Sequence, residues 1–218
     1  MLIDPDRTYV AHWVKLSDSI VVHPFAYIGK MPSQSFSLAR RAPWIETLEI
    51  GEETEIGPHA IIYGGASIGS SCLIGDGASV RELAVIGNRC IIGTNVCISY
   101  EAELADEVRV QNGTLIADGW HVGKGTFIGV NVSTMSDRRR EVVDYKFTGS
   151  VGSTIGKRCL IGSGSVLLPG ITIGDDVVIG AGALVTKNIP SGATVLGQPS
   201  TIRYPITNDW PIEEGGPA

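Results

Sequence analysis

A strict period of six residues constrains this chain more than any other feature of its sequence. From Ile50 to Ile128, every sixth residue is Ile, Leu or Val, which makes fourteen consecutive positions without an exception. Helices repeat every 3.6 residues and coiled coils every seven, so neither keeps these side chains on one face. Six is a multiple of the two-residue strand period. The pattern therefore predicts short strands and tight turns, wound into a parallel β-solenoid.

The period also predicts the shape of each coil. Three hexads make a triangular turn, so residues i and i + 18 stack about 4.8 Å apart, as neighbouring strands do. A second block carries the pattern from Ile155 to Val185. We therefore expect an all-β fold of about seven triangular coils, with the aliphatic side chains filling the axis.

The period is interrupted twice. Residues 30–49 separate the first coil residues from Ile50, and the charged segment 133–150 lies between Ile128 and Ile155, whose spacing of 27 is not a multiple of six. We expect an insertion at 30–49 and an extended loop at 133–150, within one domain of residues 1–203 that is followed by a tail, 204–218. Loops that interrupt a regular scaffold often carry function. For 30–49, a cover for a trimer edge or a solenoid end is an equal alternative.

Composition excludes several classes of protein. A formal net charge of −6 argues against binding to nucleic acid or to an anionic membrane surface. No apolar run approaches the length of a membrane span, and the N-terminus lacks the layout of a signal peptide, so a cytoplasmic location is expected. The four cysteines form no CxxC pair and have no histidine at ligand spacing. We therefore expect free, buried thiols and no metal.

The segment KRCLIGSGSVLLPGITIGDDVVIGAGALVTKNIPSGATVLGQPSTI, residues 157–202, resembles the signature of the left-handed β-helix acyltransferases, the hexapeptide-repeat superfamily. Within it, the chain is most similar to sugar N- and O-acetyltransferases, including those that act on nucleotide-linked amino sugars. The resemblance covers roughly residues 20–203. It implies a left-handed parallel β-helix and a homotrimer with active sites between neighbouring subunits.

The resemblance also implies acetyl-CoA as the acyl donor, bound beside the C-terminal coils. Matched onto the family pattern, the backbone near Gly162, Gly180 and Ala181 would contact the pantetheine arm. Lys187, and less directly Arg203, would approach a phosphate of CoA, which suits a cationic side chain.

His121 is the strongest candidate for the general base that acyl transfer needs. His12 precedes the repeat, and His23 and His59 occupy ordinary corner positions. Counting back one coil of three hexads places Glu103 directly beneath His121, where a carboxylate could orient the imidazole. Asp118 is a rival partner. An exposed turn histidine paired incidentally with Glu103 is the alternative, and some nucleotide-sugar relatives are thought to work without a side-chain base.

Trp120 is the one large residue at a corner position that otherwise carries Thr, Ala, Cys or Val. Overfilling such a corner costs about 1–3 kcal/mol unless the ring turns outward or the corner opens. An opened corner beside a subunit groove would supply a hydrophobic wall for the substrate. A plain trimer contact is an equal alternative.

Other polar residues could bind the acceptor. Asn131 lies two coils above Asn95, which places both on one column of the solenoid. Its match to the family pocket predicts contact with the sugar or acyl group, and Asn112 and Asp137 are further candidates. The triplet Arg138–Arg140, with Arg139 at its centre, could bind a nucleotide diphosphate or could be a solvated loop.

The sequence thus favours transfer of an acetyl group from acetyl-CoA to an amine or hydroxyl of a sugar, with a nucleotide-linked amino sugar as the first candidate. O-acetylation of another small acceptor, such as an antibiotic or a free saccharide, is one alternative. A non-catalytic solenoid scaffold is another. A γ-class carbonic anhydrase is disfavoured because the four histidines have no compatible spacing for zinc.

Overall fold

The chain forms a parallel β-solenoid. The structure, a computed structural model, describes residues 8–33, 43–136, 152–197 and 201–203. In these ranges the regular elements are strands, most of them two residues long, and they line up in three sheets. The solenoid class predicted from the six-residue period is therefore confirmed.

Sheet A has ten strands, sheet B nine and sheet C seven. Sheet A contains β2 (Val21–Val22), β5 (Glu55–Ile56), β8 (Leu73–Ile74), β11 (Ile91–Ile92), β14 (Arg109–Val110), β17 (Phe127–Ile128), β20 (Leu160–Ile161), β23 (Val178–Ile179), β25 (Thr194–Leu196) and β26 (Thr201–Arg203). Sheet B contains β1 (Tyr9–Val10), β3 (Tyr27–Lys30), β6 (Ile61–Tyr63), β9 (Ser79–Val80), β12 (Cys97–Ile98), β15 (Leu115–Ile116), β18 (Ser133–Thr134), β21 (Val166–Leu167) and β24 (Leu184–Val185). Sheet C contains β4 (Glu49–Ile50), β7 (Ser67–Ile68), β10 (Val85–Ile86), β13 (Glu103–Leu104), β16 (His121–Val122), β19 (Thr154–Ile155) and β22 (Thr172–Ile173).

Each coil runs through sheets C, A and B in turn, and we name the corners between them C–A, A–B and B–C. Strands of successive coils pair in parallel, and each residue pairs with the one that lies three hexads further along, as Ile86 does with Leu104. Across the second interruption the spacing between partners lengthens, since Ile128 pairs with Ile161. The extra chain leaves from the B–C corner, between β18 and β19. The interruption thus adds chain at one corner without changing the coils above and below.

Inward-facing aliphatic side chains fill the axis, one from nearly every strand. Residues such as Ile62, Ile98 and Ile128 have no solvent exposure. The column that precedes the sheet A strands is filled by small residues, among them the free cysteines Cys72, Cys90 and Cys159, which are buried. The expectation of free thiols is confirmed, although Cys97 is only half-buried.

Three boundaries differ from the sequence prediction. Ser133 and Thr134 form β18, so the solenoid continues into the segment predicted as the loop 133–150. Lys30 and Glu49, the ends of the predicted insertion 30–49, belong to β3 and β4. Thr134 stands where the repeat otherwise carries an inward aliphatic residue, whereas Lys30 and Glu49 extend the strands that contain the regular aliphatics Ile28 and Ile50.

The prediction of about seven coils was too low, since sheet B alone stacks nine strands. The first coils, which begin at Tyr9, lack the strict hexads that were counted. At the other end, Val178 pairs with Thr194, so the last coil is slightly shorter than those before it. The antiparallel strand β26 then covers β25. The predicted tail, residues 204–218, lies outside the described residues. Within the described ranges, the chain forms no helix with the length and hydrophobicity to cross a bilayer.

Ion pairs between stacked coils should make the stability of the solenoid sensitive to acid. Arg158 hydrogen-bonds Asp176 in the next coil at 2.7 and 2.6 Å, and this contact lowers the pKa of the Asp176 carboxyl. Arg89 likewise lowers the pKa of Glu107. A carboxyl with a lowered folded-state pKa stabilises the fold above its unfolded pKa of about 4, and the contribution is lost as the pH falls further.

We therefore expect the midpoint temperature of thermal unfolding, followed by circular dichroism, to decrease when the pH is lowered below about 4. Asp176→Asn should lower the midpoint slightly at neutral pH and make the fall in acid smaller. A variant with the same acid profile as the wild type would show that the Arg158–Asp176 contact contributes nothing.

Candidate active site

His121 and Glu103 form the central pair of the candidate site. They begin strands β16 and β13 and are direct partners in the parallel ladder of sheet C, so both side chains point outward on one column. The Nδ1 atom of His121 lies 3.0 Å from Oε2 of Glu103, and the two side chains are 48% and 59% exposed. The predicted stacking of His121 over Glu103 is thus present in the structure. Because a carboxylate oxygen only accepts, Nδ1 donates this hydrogen bond, and in the neutral ring Nε2 then carries the lone pair.

The pair lies at the B–C corner, where the chain leaves and re-enters the solenoid. The backbone N–H of His121 donates to the carbonyl of Ser153 at 2.9 Å, which joins the coil before the interruption to the coil after it. Ser153 is buried, and its Oγ accepts a hydrogen bond from the Gly170 N–H at 2.7 Å. The Trp120 carbonyl accepts the Glu103 N–H at 2.8 Å, so the main chain of residues 120–121 is held from both neighbouring coils.

Trp120 lies inside the solenoid. It is fully buried, and its Nε1–H donates to the carbonyl of Met135 at 2.9 Å. The indole ring fits inside this corner. It lies beside the end of β18, where the chain departs from the repeat. The predicted contact of Trp120 with substrate is not supported, since a fully buried side chain offers no surface to a ligand. Its position instead supports the backbone of His121 from behind.

Asp118 lies at the same corner, three residues before His121, and is half-buried. Nδ1 donates its hydrogen bond to Glu103, so the structure favours Glu103 over Asp118 as the partner of the imidazole. Asp118 is engaged in an interaction of its own. Its catalytic role stays a prediction.

A shallow depression of about 520 Å³ covers the outer face of sheet C beside His121. Glu103, His121 and Thr154 line it on the side of the B–C corner, and Lys157 and Asp175 line the opposite side. A volume of this size can accommodate a small-molecule substrate. The depression therefore joins the candidate base to a possible binding surface within one sheet.

Asn112 and Asn131 lie at the A–B corner, on the opposite side of the prism from sheet C. The Asn112 Oδ1 accepts a hydrogen bond from the backbone N–H of Thr94 at 3.0 Å, so this side chain ties two coils together. Asn131 has a left-handed backbone with φ of 54° and packs over Gly113, as Asn95 packs over Gly77 two coils below. The predicted Asn95–Asn131 column exists. Within one chain, however, it is not brought to His121.

The residues expected to bind CoA fall on this same A–B corner, in the coils above Asn131. Gly162 and Gly180 follow β20 and β23, and Ala181 is exposed beside them. A Cβ atom on Gly162 would collide with the backbone N atom of Ala181, so the coils here stack backbone on backbone. Bare main chain of this kind suits hydrogen bonding to amide groups of an extended ligand.

The remaining candidates are more dispersed. Lys187 is exposed just after β24, at the B–C corner near the C-terminal end of the solenoid. The backbone of Arg203 pairs with Thr194 in the antiparallel strand β26. Asp137 and Arg139 lie outside the described residues. One chain thus divides the predicted site between two corners, with His121, Glu103, Asp118 and Lys187 at one and the asparagines and glycines at the other.

Sequence reasoning missed two neighbours of His121. Thr154 is its direct partner on the far side of the interruption, and Gly152 lies beside the ring. The second repeat block, which begins at Ile155, could have revealed Thr154. Pairing Ile155 with Val122 places Thr154 next to His121 in the ladder. Also missed was Glu82, which is fully buried and held by Arg81 at 2.9 and 3.1 Å. In the described ranges, no group of three or more potential metal ligands comes together.

Comparisons with protein families agree with this geometry. The family model described as "Bacterial transferase hexapeptide (six repeats)" matches residues 48–82 and 152–187. The model "Hexapeptide repeat of succinyl-transferase" matches residues 84–117. Together these matches show that the coils of residues 48–117 and 152–187 are similar to transferase hexapeptide repeats. The resemblance of the chain to the hexapeptide-repeat acyltransferase superfamily is thereby confirmed.

One curated relative of this hexapeptide-repeat chain is nodulation protein L from Rhizobium meliloti, which is 45% identical over 85 residues. The match covers 38% of this chain and 46% of the relative, so the chain spans less than half the length of that protein.

Solved structures share the fold. A UDP-N-acetylglucosamine acyltransferase from Francisella novicida has a TM-score of 0.55 at 18% identity, over 92% of this chain and 70% of its own. A variant of an N-acyltransferase from Bacillus cereus, in complex with dTDP and coenzyme A, has a TM-score of 0.52 at 19% identity, over 72% and 83%. At these identities the likeness establishes the hexapeptide-repeat fold.

Trp120→Phe should lower the free energy of unfolding by about 1–3 kcal/mol, because it leaves the Met135 carbonyl without its donor. Trp120→Ala, which also opens a cavity, should cost about 3–5 kcal/mol. Urea denaturation measures both. Trp44→Phe is the matched control, since Trp44 is 60% exposed and should change stability by less than about 0.5 kcal/mol. Equal effects at the two tryptophans would contradict a structural role for the Trp120 hydrogen bond.

Proposed function

We propose that this protein is a CoA-dependent acetyltransferase that acetylates an amine or hydroxyl of a sugar, with a nucleotide-linked amino sugar as the first acceptor to test. The observation that carries the proposal is the hydrogen bond from Nδ1 of the exposed His121 to Glu103, beside an open depression on sheet C. The transferase hexapeptide repeats support it. The complex of the Bacillus cereus relative with dTDP and coenzyme A supports the choice of ligands. The use of acetyl-CoA fits the cytoplasmic location predicted from the sequence.

In this mechanism Nε2 of His121 accepts the proton of the acceptor amine or hydroxyl. The freed lone pair attacks the thioester carbonyl that acetyl-CoA supplies, and the tetrahedral intermediate collapses with loss of the CoA thiolate. His121 then returns its proton to the sulfur. Glu103 stabilises the imidazolium through the Nδ1 hydrogen bond and holds the ring in the required tautomer.

We further propose a homotrimer, because only a neighbouring subunit can unite the two corners that carry the candidate residues. With the C–A corner turned toward a threefold axis, sheet C of one subunit faces sheet A of the next. The outer rim of that groove then holds His121 and Lys187 from one chain and Asn131, Gly162 and Ala181 from its neighbour. Sheet A offers four apolar side chains on its outer face for this packing, Leu73, Ile91, Phe127 and Leu160, each 37–47% exposed, with Arg109 between Ile91 and Phe127.

His121→Ala should lower kcat by about 10²–10⁴ while the circular dichroism spectrum stays unchanged, since the side chain is exposed and its loss removes only the base. Glu103→Gln should cost less, because the amide can still accept from Nδ1. The assay measures free CoA released from acetyl-CoA over a panel of amino sugars and nucleotide-linked sugars.

His23→Ala is the matched control. His23 has the same kind of partner, with Nε2 at 2.7 Å from the Glu55 Oε1, but it lies beside sheet A in the N-terminal coils. It should retain wild-type turnover. Near-wild-type turnover in His121→Ala would eliminate His121 as the base, and an absence of acetyl-CoA binding by calorimetry would refute the enzymatic function itself.

Phe127→Arg should shift the protein from trimer to monomer in sedimentation-velocity experiments, because it removes an apolar side chain from the proposed contact on sheet A and places a second positive charge next to Arg109. Leu115→Arg is the control, since Leu115 has the same 38% exposure but lies on sheet B. If Leu115→Arg dissociated the trimer and Phe127→Arg did not, the contact would lie on sheet B and the proposed contact on sheet A would be wrong.

A further inference from the structure

Almost every glycine that the structure describes occupies a position that a larger residue could not, for one of two structural reasons. Some have a positive φ, which side chains rarely adopt; Gly113, at 69°, is an example. The others lie so close to neighbouring parts of the chain, in most cases the next coil, that a Cβ atom would collide with them. At Gly123, for instance, a Cβ would lie 2.5 Å from the carbonyl carbon of Gly156. Each reason ties the glycine to the coil geometry.

Gly152 has neither reason, and it is alone in this among the glycines that the structure describes. Its φ is not positive, and among the described residues the nearest atom to an added Cβ would be the Gly119 carbonyl oxygen at 3.4 Å, an ordinary contact. Gly152 is also exposed. The fold would therefore accept a side chain at this position.

The space that a side chain would fill lies beside the candidate base. A Cβ at residue 152 would be 3.9 Å from both Nε2 and Cδ2 of His121. Nδ1, on the other side of the ring, is occupied by Glu103. Any molecule that gives a proton to Nε2 must approach this edge of the ring, and a larger residue at 152 would cover it.

We infer that Gly152 is a specificity-determining position: its missing side chain leaves open the space through which the acceptor's amine or hydroxyl reaches Nε2 of His121. This inference rests on the proposed acetyl transfer. A substituted sugar carbon next to the reacting group is bulky, so a methyl or isopropyl group at residue 152 would compete with it for the same volume. Acceptors with an unhindered reacting group would tolerate the substitution better than hindered ones.

The test is a graded series, Gly152→Ala and Gly152→Val, assayed with acceptors whose reacting group is increasingly hindered. We expect kcat/KM for the acceptor to fall in the order of side-chain size, by about tenfold or more for valine with a hindered sugar. The KM for acetyl-CoA should stay unchanged. Ser67→Val, on the same outward column of sheet C three coils below His121, adds bulk away from the base and should leave all parameters unchanged.

A second measurement needs no acceptor. Diethyl pyrocarbonate acylates exposed imidazole nitrogens, and mass spectrometry follows the rate at each histidine. Labelling of His121 should slow in Gly152→Ala and slow further in Gly152→Val, whereas labelling of His23 in the same samples should not change. Circular dichroism and thermal melting confirm that the variants are folded.

Two results would overturn the inference. If His121 labelling slows but turnover of hindered acceptors does not, the acceptor does not use this space. If labelling is unchanged and the variants impair every acceptor and acetyl-CoA alike, Gly152 acts as a backbone hinge. Should the wild-type protein acetylate nothing, the proposed function fails by itself, and the labelling rates still decide whether Gly152 keeps Nε2 open.

Discussion

The parallel pairing of each strand with the strand one coil away is the constraint on which the rest of the structure depends. Because short strands alternate with tight turns, each coil can pair with its neighbours only if every side of the triangle keeps the length of one hexad. The result is a continuous ladder on three faces and an axis filled by side chains such as Ile98 and Ile116, which are fully buried. An added or missing residue can be accommodated only at a corner, where the chain is free to leave the ladder.

The candidate site follows from such a departure. The second interruption leaves at the B–C corner, and the next coil resumes in register, so Thr154 pairs with His121 although the interruption separates them along the chain. The opened corner accommodates Trp120, whose indole N–H donates to the Met135 carbonyl, whereas the equivalent carbonyls of Ser99 and Ala117 accept an N–H within their own corner turns. A residue that would overfill a closed corner thereby fixes the backbone just before His121. Trp120, the one large residue at this position of the repeat, therefore packs inside the solenoid next to the candidate site, and its side chain is not exposed at the surface.

Prediction from the sequence succeeded for positions that follow from counting hexads and was weaker for the direction and contacts of individual side chains. The stacking of His121 over Glu103 followed from counting three hexads within unbroken coils. Trp120 was placed at the right corner but on the wrong side of the surface, because a pattern of residue types does not say where the Met135 carbonyl lies. The binding of substrate by Asn112 stays a prediction; its amide oxygen accepts the Thr94 N–H, as residues at equivalent turn positions do between other coils. Gly152 gave no signal at all among so many glycines.

The sequence by itself determined the solenoid, its three-sided coils, its free cysteines and the stacking of His121 on Glu103. It could do so because strands of successive coils pair at a fixed spacing, so the residue number gives the position of a residue in the stack. Only the tertiary structure decided the lateral relations: which corner the interruption leaves from, that Trp120 turns inward, and that the asparagines and glycines lie across the prism from His121. These depend on how large side chains and extra chain share the space at a corner. Packing volume and hydrogen-bond direction settle that in three dimensions, where periodicity carries no information.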